Sequence, residues 1–179
     1  MTVTITTRPS GAEDVPANVE HIYSIINAAY RTDKSWTHEA DLVSEDRIGT
    51  EELSHLLLNN EEPIILAEIQ KNPSEAAVVA GTIRIEKLPE EGEYLLGLLS
   101  VDPEFQSCGI GSKLVKAAVE YIKTELKGKK AVVWVIYTRS ELISWYERLG
   151  FVGTGETKPF PMPQFLKKDV HFNVYKRDL

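Results

Sequence analysis

The sequence predicts a single α+β domain over residues 1–179, a mixed α/β arrangement in which helices are inserted between the strands of one central sheet. Three observations lead there. Segments with strand-like alternation or short apolar runs outnumber segments with helical periodicity, and the two kinds are interspersed along the chain. The length of 179 residues fits one core and would leave a second undersized. No repeat, low-complexity tract or linker interrupts the sequence, and Pro and Gly fall between the periodic segments. Apolar residues at 42% and charged residues at 26% suffice for a buried core and exclude intrinsic disorder.

Residues 2–7 alternate as a strand, with Val3 and Ile5 on one face. Val19, Ile22, Tyr23, Ile26, Ala29 and Tyr30 recur at helical spacing, which predicts an amphipathic helix over 16–30. Thr50 before Glu51 and Glu52 reads as an N-cap with carboxylates in the first turn of a short helix through Leu58. Strands follow at about 63–70 and 76–87, joined by a hairpin turn at 71–74, and a further strand at 94–101 ends at Asp102 and Pro103. Leu114, Ala118, Ile122 and Leu126 then form the stripe of the strongest helix, with Gly128 as its stop. Residues 131–137 are a buried strand, Ser140 caps a helix ending at Gly150, and 151–154 and 170–175 are strands separated by Pro159, Pro161 and Pro163.

The longest apolar runs, 64–67 and 131–136, are far too short to span a bilayer. Residues 1–10 lack the basic and apolar regions of a signal peptide, so a cytoplasmic or nuclear location is expected. A single cysteine, Cys108, excludes an internal disulfide and a cysteine-based zinc site, and His21, His38, His55 and His171 lack ligand spacing, so no metal is expected. A net charge of −7 with only short basic clusters at 127–130 and 167–168 argues against a nucleic-acid partner.

The chemistry concentrates where the strand ending at Val101 passes through Gln106, Ser107, Cys108, Gly109, Ile110, Gly111 and Ser112 into the strongest helix. Two glycines at a strand-to-helix junction let backbone N–H groups converge on an anion, and the helix N-terminus adds about half a positive charge. Neither the third glycine of a dinucleotide fingerprint nor the Lys of a Walker loop is present, since Leu114 stands at the first of these positions.

The longer pattern Val101, Pro103, Gln106, Gly109 and Gly111 resembles the acyl-CoA loop of the GNAT superfamily of N-acyltransferases. Trp145 to Phe151 is similar to that superfamily's second motif. Arg139 to Ile143, Thr154 to Glu156 and Pro159 to Pro161 resemble one of its branches, as do Tyr30 and Arg31 with Trp36 to Ala40. The resemblance covers nearly the whole chain. It implies a mostly antiparallel sheet splayed between its fourth and fifth strands to admit a pantetheine arm, with about four flanking helices.

Carried over residue by residue, the resemblance implies that Leu99 and Val101 offer backbone contacts to an acetyl-pantetheine arm and that Gln106 through Ser112 hold its pyrophosphate. Tyr146 stands at the position of the acid that protonates the departing thiolate, a role a phenol can fill. Arg139 replaces the family's usual Asn, where it could reach a phosphate or an acidic partner. Leu95 replaces the glutamate that some members use as base, leaving Glu93, on the same strand face, to act through water. Trp36, His38 and Glu39 are expected on one wall of an acceptor pocket, with Phe160 and Met162 opposite. Cys108 reads as a small filler. The expected activity is acetyl-CoA-dependent transfer to a primary amine of a small molecule, by a monomer or homodimer. A protein or peptide N-acetyltransferase, or an acyl-CoA-binding module without turnover, remains the alternative.

Overall fold

The computed structural model describes residues 3–32, 39, 41–42, 45–161 and 163–179. Its seven strands are β1 (Thr4–Pro9), β2 (Ile64–Gln70), β3 (Val78–Lys87), β4 (Glu93–Val101), β5 (Lys130–Ile136), β6 (Val152–Pro159) and β7 (His171–Asp178). They form one sheet in the order β1-β2-β3-β4-β5-β7-β6, antiparallel everywhere except between β4 and β5. Four helices flank it, α1 (Asp14–Arg31), α2 (Thr50–Leu57), α3 (Ile110–Thr124) and α4 (Ser140–Arg148).

β2 is apolar almost throughout because both of its faces are covered. Ile65, Ala67 and Ile69 join the core beneath α3. Ile64 and Leu66, on the opposite face, pack with Ile22, Ile26, Leu53 and Leu57 of α1 and α2. A strand buried on two sides loses its alternation and reads as a continuous hydrophobic run. In α3 the buried set is Ile110, Leu114, Val115, Ala118, Val119 and Ile122, so the predicted stripe holds and widens by one helical row.

Several boundaries differ from the sequence reading, each for a local reason. Thr50 and Ser140 are the first residues inside their helices; Gly49 and Arg139 hold the N-cap positions, and neither helix has a side-chain cap. Gly128 does not stop α3. The left-handed residue is Lys127, at φ 53°, while a Cβ on Gly128 would stand 2.4 Å from Ile122 and 2.9 Å from the Tyr94 ring. Glycine is needed there for close packing. β1 lies two residues later than the alternation suggested because its register is set by β2, from Thr4 opposite Gln70 to Pro9 opposite Ile65. β6 continues to Pro159 as an exposed edge strand paired with β7. Its outward residues carry no apolar signal, and proline is tolerated at such an edge.

Asp14, fully buried at the start of α1, ties that helix to the sheet. Its carboxylate accepts two hydrogen bonds of 2.8 Å from Arg8, one of 2.8 Å from Asn18 Nδ2 and one of 2.9 Å from the Gly11 N–H. Burial alone would raise its pKa, but the bonds from Arg8, Gly11 and Asn18 outweigh it and hold the carboxyl below its ordinary value. Asp14→Asn removes the charge that accepts from Arg8, Asn18 and Gly11 but leaves Arg8 paired with Glu68 at 2.8 Å, and is expected to destabilise by about 2 kcal/mol in urea unfolding at pH 7. Because the folded-state pKa is the lower one, this contribution is present above pH ~4 and is lost as pH falls through the folded value. Wild type and variant should therefore converge in stability toward strongly acid pH.

Candidate active site

β4 and β5 are paired only through Glu93–Lys130, Tyr94–Ala131 and Leu95–Val132. Beyond those pairs β4 follows β3 and β5 follows β7, so the two parallel strands separate. On the β3 side, β4 carries a bulge between its Gly97 and Ser100 pairings, with Leu98 at φ 48°. The buried hydroxyls of Thr82 and Ser100 both donate to the Leu98 carbonyl, at 2.8 and 3.2 Å, which satisfies an acceptor the interrupted ladder would leave unpaired.

The gap opens into a cavity of about 230 Å³ whose walls include Tyr30, Leu95 to Leu99, Trp134, Arg139, Tyr146 and Phe160. Tyr146 reaches it from α4 and is 5% exposed. Its ring is fixed edge-on between Trp145, at 4.9 Å between centroids, and Phe151, at 5.5 Å. No hydrogen bond to its hydroxyl is made among the described residues. Burial, and next the proximity of Tyr30, push the Tyr146 phenol above its ordinary value, so it stays protonated well into alkaline pH. Tyr30, the last residue of the α1 stripe, faces the same gap. Burial raises its pKa to about 12, and the Leu99 backbone N–H interacts with its hydroxyl in the opposing sense. The Tyr30 hydroxyl oxygen thus lies beside the N–H of the bulge, in the cavity that Tyr146 also lines. The sequence analysis assigned Tyr30 no role of its own; the available signal was a tyrosine closing an otherwise aliphatic helical stripe, an amphipathic group where only the apolar part is needed.

Charged side chains rim the cavity. Arg31 pairs with Glu39 at 3.2 Å and also donates from Nε to the Glu45 carbonyl, and the Glu39 N–H donates to the Tyr30 carbonyl at 2.7 Å. Arg47 lies over the Tyr30 ring, its guanidinium carbon 5.4 Å from the centroid. Phe160 forms part of the far wall, stacked on Phe172 at 5.4 Å.

Just past Val101, at the C-terminal end of β4, the chain makes a 3₁₀ turn over Pro103–Phe105, with Asp102 accepting from the Glu104 N–H at 3.0 Å, and enters α3. Ser107 and Gly109 both adopt left-handed backbone, at φ 64° and 79°. The Lys113 N–H bonds to the Gly109 carbonyl at 3.1 Å, so the N–H groups of Ile110, Gly111 and Ser112 precede the helical ladder. A Cβ on Gly109 would project into open space, whereas one on Gly111 would make ordinary contacts with Trp145 and Val101 at 3.5 and 3.8 Å. Gly109 is therefore the position whose backbone demands glycine. Gln106 Nε2 is buried without a partner among the described residues. Free helix N–H groups, an open glycine and an unsatisfied amide donor together make a cradle suited to a phosphate-type anion.

Leu99, Arg139, Tyr146, Glu39 and Phe160 are thus gathered around one cavity. Val101 lies beyond its lining, in the ladder opposite Gly81. Glu93 is not brought to Tyr146. It sits where β4 and β5 are still joined, in a smaller cavity with Glu90, Glu156, Lys158 and Lys176, Trp134 being the residue that lines both. The Lys176 ammonium straddles its carboxylate, 3.0 Å from Oε1 and 2.7 Å from Oε2. Cys108 is exposed in the loop and fills no space in the core. Trp36, His38 and Met162 lie outside the described residues. Among the described residues no group of three His, Cys, Asp or Glu side chains could hold a metal ion, and no helix is long and apolar enough to cross a membrane.

The model of the acetyltransferase (GNAT) family matches residues 19–151. N-alpha-acetyltransferase 30 of Dictyostelium discoideum is 36% identical over 74 residues, which cover 41% of this chain and 38% of that protein. Over their length the match is thus well short of the whole relative. Among solved structures, an acetyltransferase from Acinetobacter baylyi superposes with a TM-score of 0.73 at 14% identity, covering 100% of this chain and 95% of its own. The yncA acetyltransferase of Salmonella typhimurium, solved with its cofactor acetyl-CoA, gives 0.70 at 17% identity, covering 98% and 94%. At these identities the structural likeness is one of fold.

Proposed function

The chain belongs to the acetyltransferase (GNAT) family, and from that premise we propose that it transfers an acetyl group from acetyl-CoA to the primary amine of a small molecule in one direct step. The observation that carries this reading is that Tyr146 and Leu99 line one cavity between the splayed strands, while β4 runs on two residues past Leu99 and leads into an anion cradle at the start of α3. Gln106 to Ser112 hold the diphosphate, and Leu99 offers its backbone to the acyl end. When bound, acetyl-CoA supplies an activated thioester. The Leu99 N–H, beside the Tyr30 hydroxyl in the free protein, is released to donate to the acyl oxygen when the thioester binds and stabilises the charge that develops there. Tyr146 Oη holds the proton that the leaving sulfur requires, and its raised pKa keeps that proton in place at every working pH. The cavity walls orient the amine and thioester and so convert a bimolecular attack into an intramolecular one. The amine loses its proton to water or to an exposed carboxylate, since Leu95 stands where a strand-borne base would be and Glu93 is engaged by Lys176.

The test is release of CoA thiol with mass detection of the acetylated acceptor, over alkyl and aryl amines from pH 6 to 10. For an alkyl amine of pKa ~10, kcat/KM should rise continuously with pH and show no falling limb, because both cavity phenols titrate above that range. An aryl amine should give a flat profile. A falling limb below pH 10 would contradict the role given to Tyr146, and a large loss of turnover in Glu93→Gln would make Glu93 the base. A second reading, transfer to a peptide amine, is favoured by the stretch shared with N-alpha-acetyltransferase 30; it predicts turnover with peptides and none with free amines.

A further inference from the structure

Resting on that reading, we propose that the acceptor carries a carboxylate as well as its amine, and that Arg47 is the residue that receives the carboxylate. The chain is acidic overall, at −7, yet the cavity beside the splayed strands is walled by three arginines, Arg31, Arg47 and Arg139, against Glu39, Glu45 and Asp46. Their partners differ. Arg31 is occupied by Glu39 and by the Tyr30 and Glu45 carbonyls. Asp46 accepts the Tyr23 hydroxyl at 3.0 Å on the protein surface, and Glu45 is exposed. Arg47 makes no ion pair among the described residues.

Its position is nevertheless fixed. The Arg47 N–H donates to Asn27 Oδ1 at 2.6 Å, and Asn27 Nδ2 donates in turn to the Ile48 carbonyl at 3.1 Å and to the Tyr23 carbonyl at 3.2 Å, which clamps the 47–48 backbone to α1. The guanidinium rests on the face of Tyr30, the same ring whose hydroxyl meets the Leu99 N–H. Cation–π contact holds the group in place and leaves its N–H fork unspent, and that planar fork matches a carboxylate. The diphosphate cradle is built from residues 106–112, beyond Val101 and outside the lining of this cavity, so this cation is not needed for it. A diamine entering the cavity would meet a fixed positive charge. An amino acid or an N-terminal-like zwitterion would place its carboxylate on Arg47 with its amine toward Tyr146.

Three matched pairs test this: phenylalanine with phenethylamine, lysine with cadaverine, and 4-aminobutyrate with butylamine, in wild type, Arg47→Lys and Arg47→Gln. At least one acid should exceed its plain amine by about 10-fold or more in kcat/KM, carried mainly by KM. In Arg47→Gln that ratio should collapse toward one, with Arg47→Lys between the two. As a readout without turnover, the N-acetylated derivative of the preferred acid should raise the melting temperature of wild type and not of Arg47→Gln, while acetyl-CoA still raises both and so reports intact folding. Plain amines equal to or better than the acids in all pairs, or an unchanged ratio in Arg47→Gln, would overturn the carboxylate site and leave acetyl transfer standing. Transfer to neither member of any pair, with acetyl-CoA bound, would overturn the small-amine reading and this inference together.

Discussion

Tyr146→Phe is expected to lower turnover about 100-fold or more, the usual scale of a lost general acid, while leaving folding and acetyl-CoA affinity nearly unchanged. The structure makes this a clean comparison. The ring's edge contacts with Trp145 and Phe151 are kept by phenylalanine, and the hydroxyl that is removed has no hydrogen-bond partner among the described residues. Deleting it strands no buried donor or acceptor, so the stability change should stay within about 1 kcal/mol. Because the proton is needed only as the sulfur departs, kcat and kcat/KM should fall together. Turnover unaltered with a good amine would reduce Tyr146 to a packing residue.

Gly109→Val should abolish the stabilisation that acetyl-CoA confers. At ~100 times its dissociation constant a ligand that binds only the folded state adds about 2.7 kcal/mol, which for a chain of this size raises the melting temperature by roughly 5–10 °C. Valine at φ 79° is strained, and the strain would disturb the turn that sets the N–H groups at the start of α3, while its Cβ would itself meet only open space. The variant will melt lower without ligand, so the quantity to compare is the ligand-induced rise within each protein. Gly111→Ala is the control, since the nearest atoms to its methyl group, on Trp145 and Val101, would stand at ordinary distances; it should keep most of the rise. Equal rises in wild type and Gly109→Val would remove the anion cradle from that loop.

The glycine loop was nominated by its own local pattern, and Tyr146 by the resemblance of the short stretch around it. A glycine pair between a strand and a strongly amphipathic helix, and a tyrosine ahead of a Gly-Phe helix stop, are patterns a few residues long. The splay was available only through the resemblance, since where two parallel strands separate depends on which partner each one follows. Tyr30 and Arg47 were harder still. Their significance comes from tertiary contacts, Tyr30 of α1 with Leu99 of β4 and Arg47, before α2, with Asn27 and Tyr30 of α1, none of which a local pattern shows. Glu93 illustrates the converse error of inferring proximity from strand parity. It does share a face with Leu95, but Lys176 of β7, invisible to a local reading, claims its carboxylate. The left-handed residues Leu98, Ser107 and Lys127 had no sequence signal, being neither Gly nor Asn.

The most direct test of acetyl transfer at the splayed strands is a single reaction: purified protein, acetyl-CoA and a mixture of primary amines that includes amino acids, followed by mass spectrometry of the acceptors alongside thiol release, in wild type and Tyr146→Phe. Acetylated amine formed in step with free CoA by wild type, and reduced about 100-fold in Tyr146→Phe, is the predicted result. Acetyl-CoA that binds and stabilises the protein but passes its acetyl group to no amine would contradict it and leave an acyl-CoA-binding module in place of an enzyme.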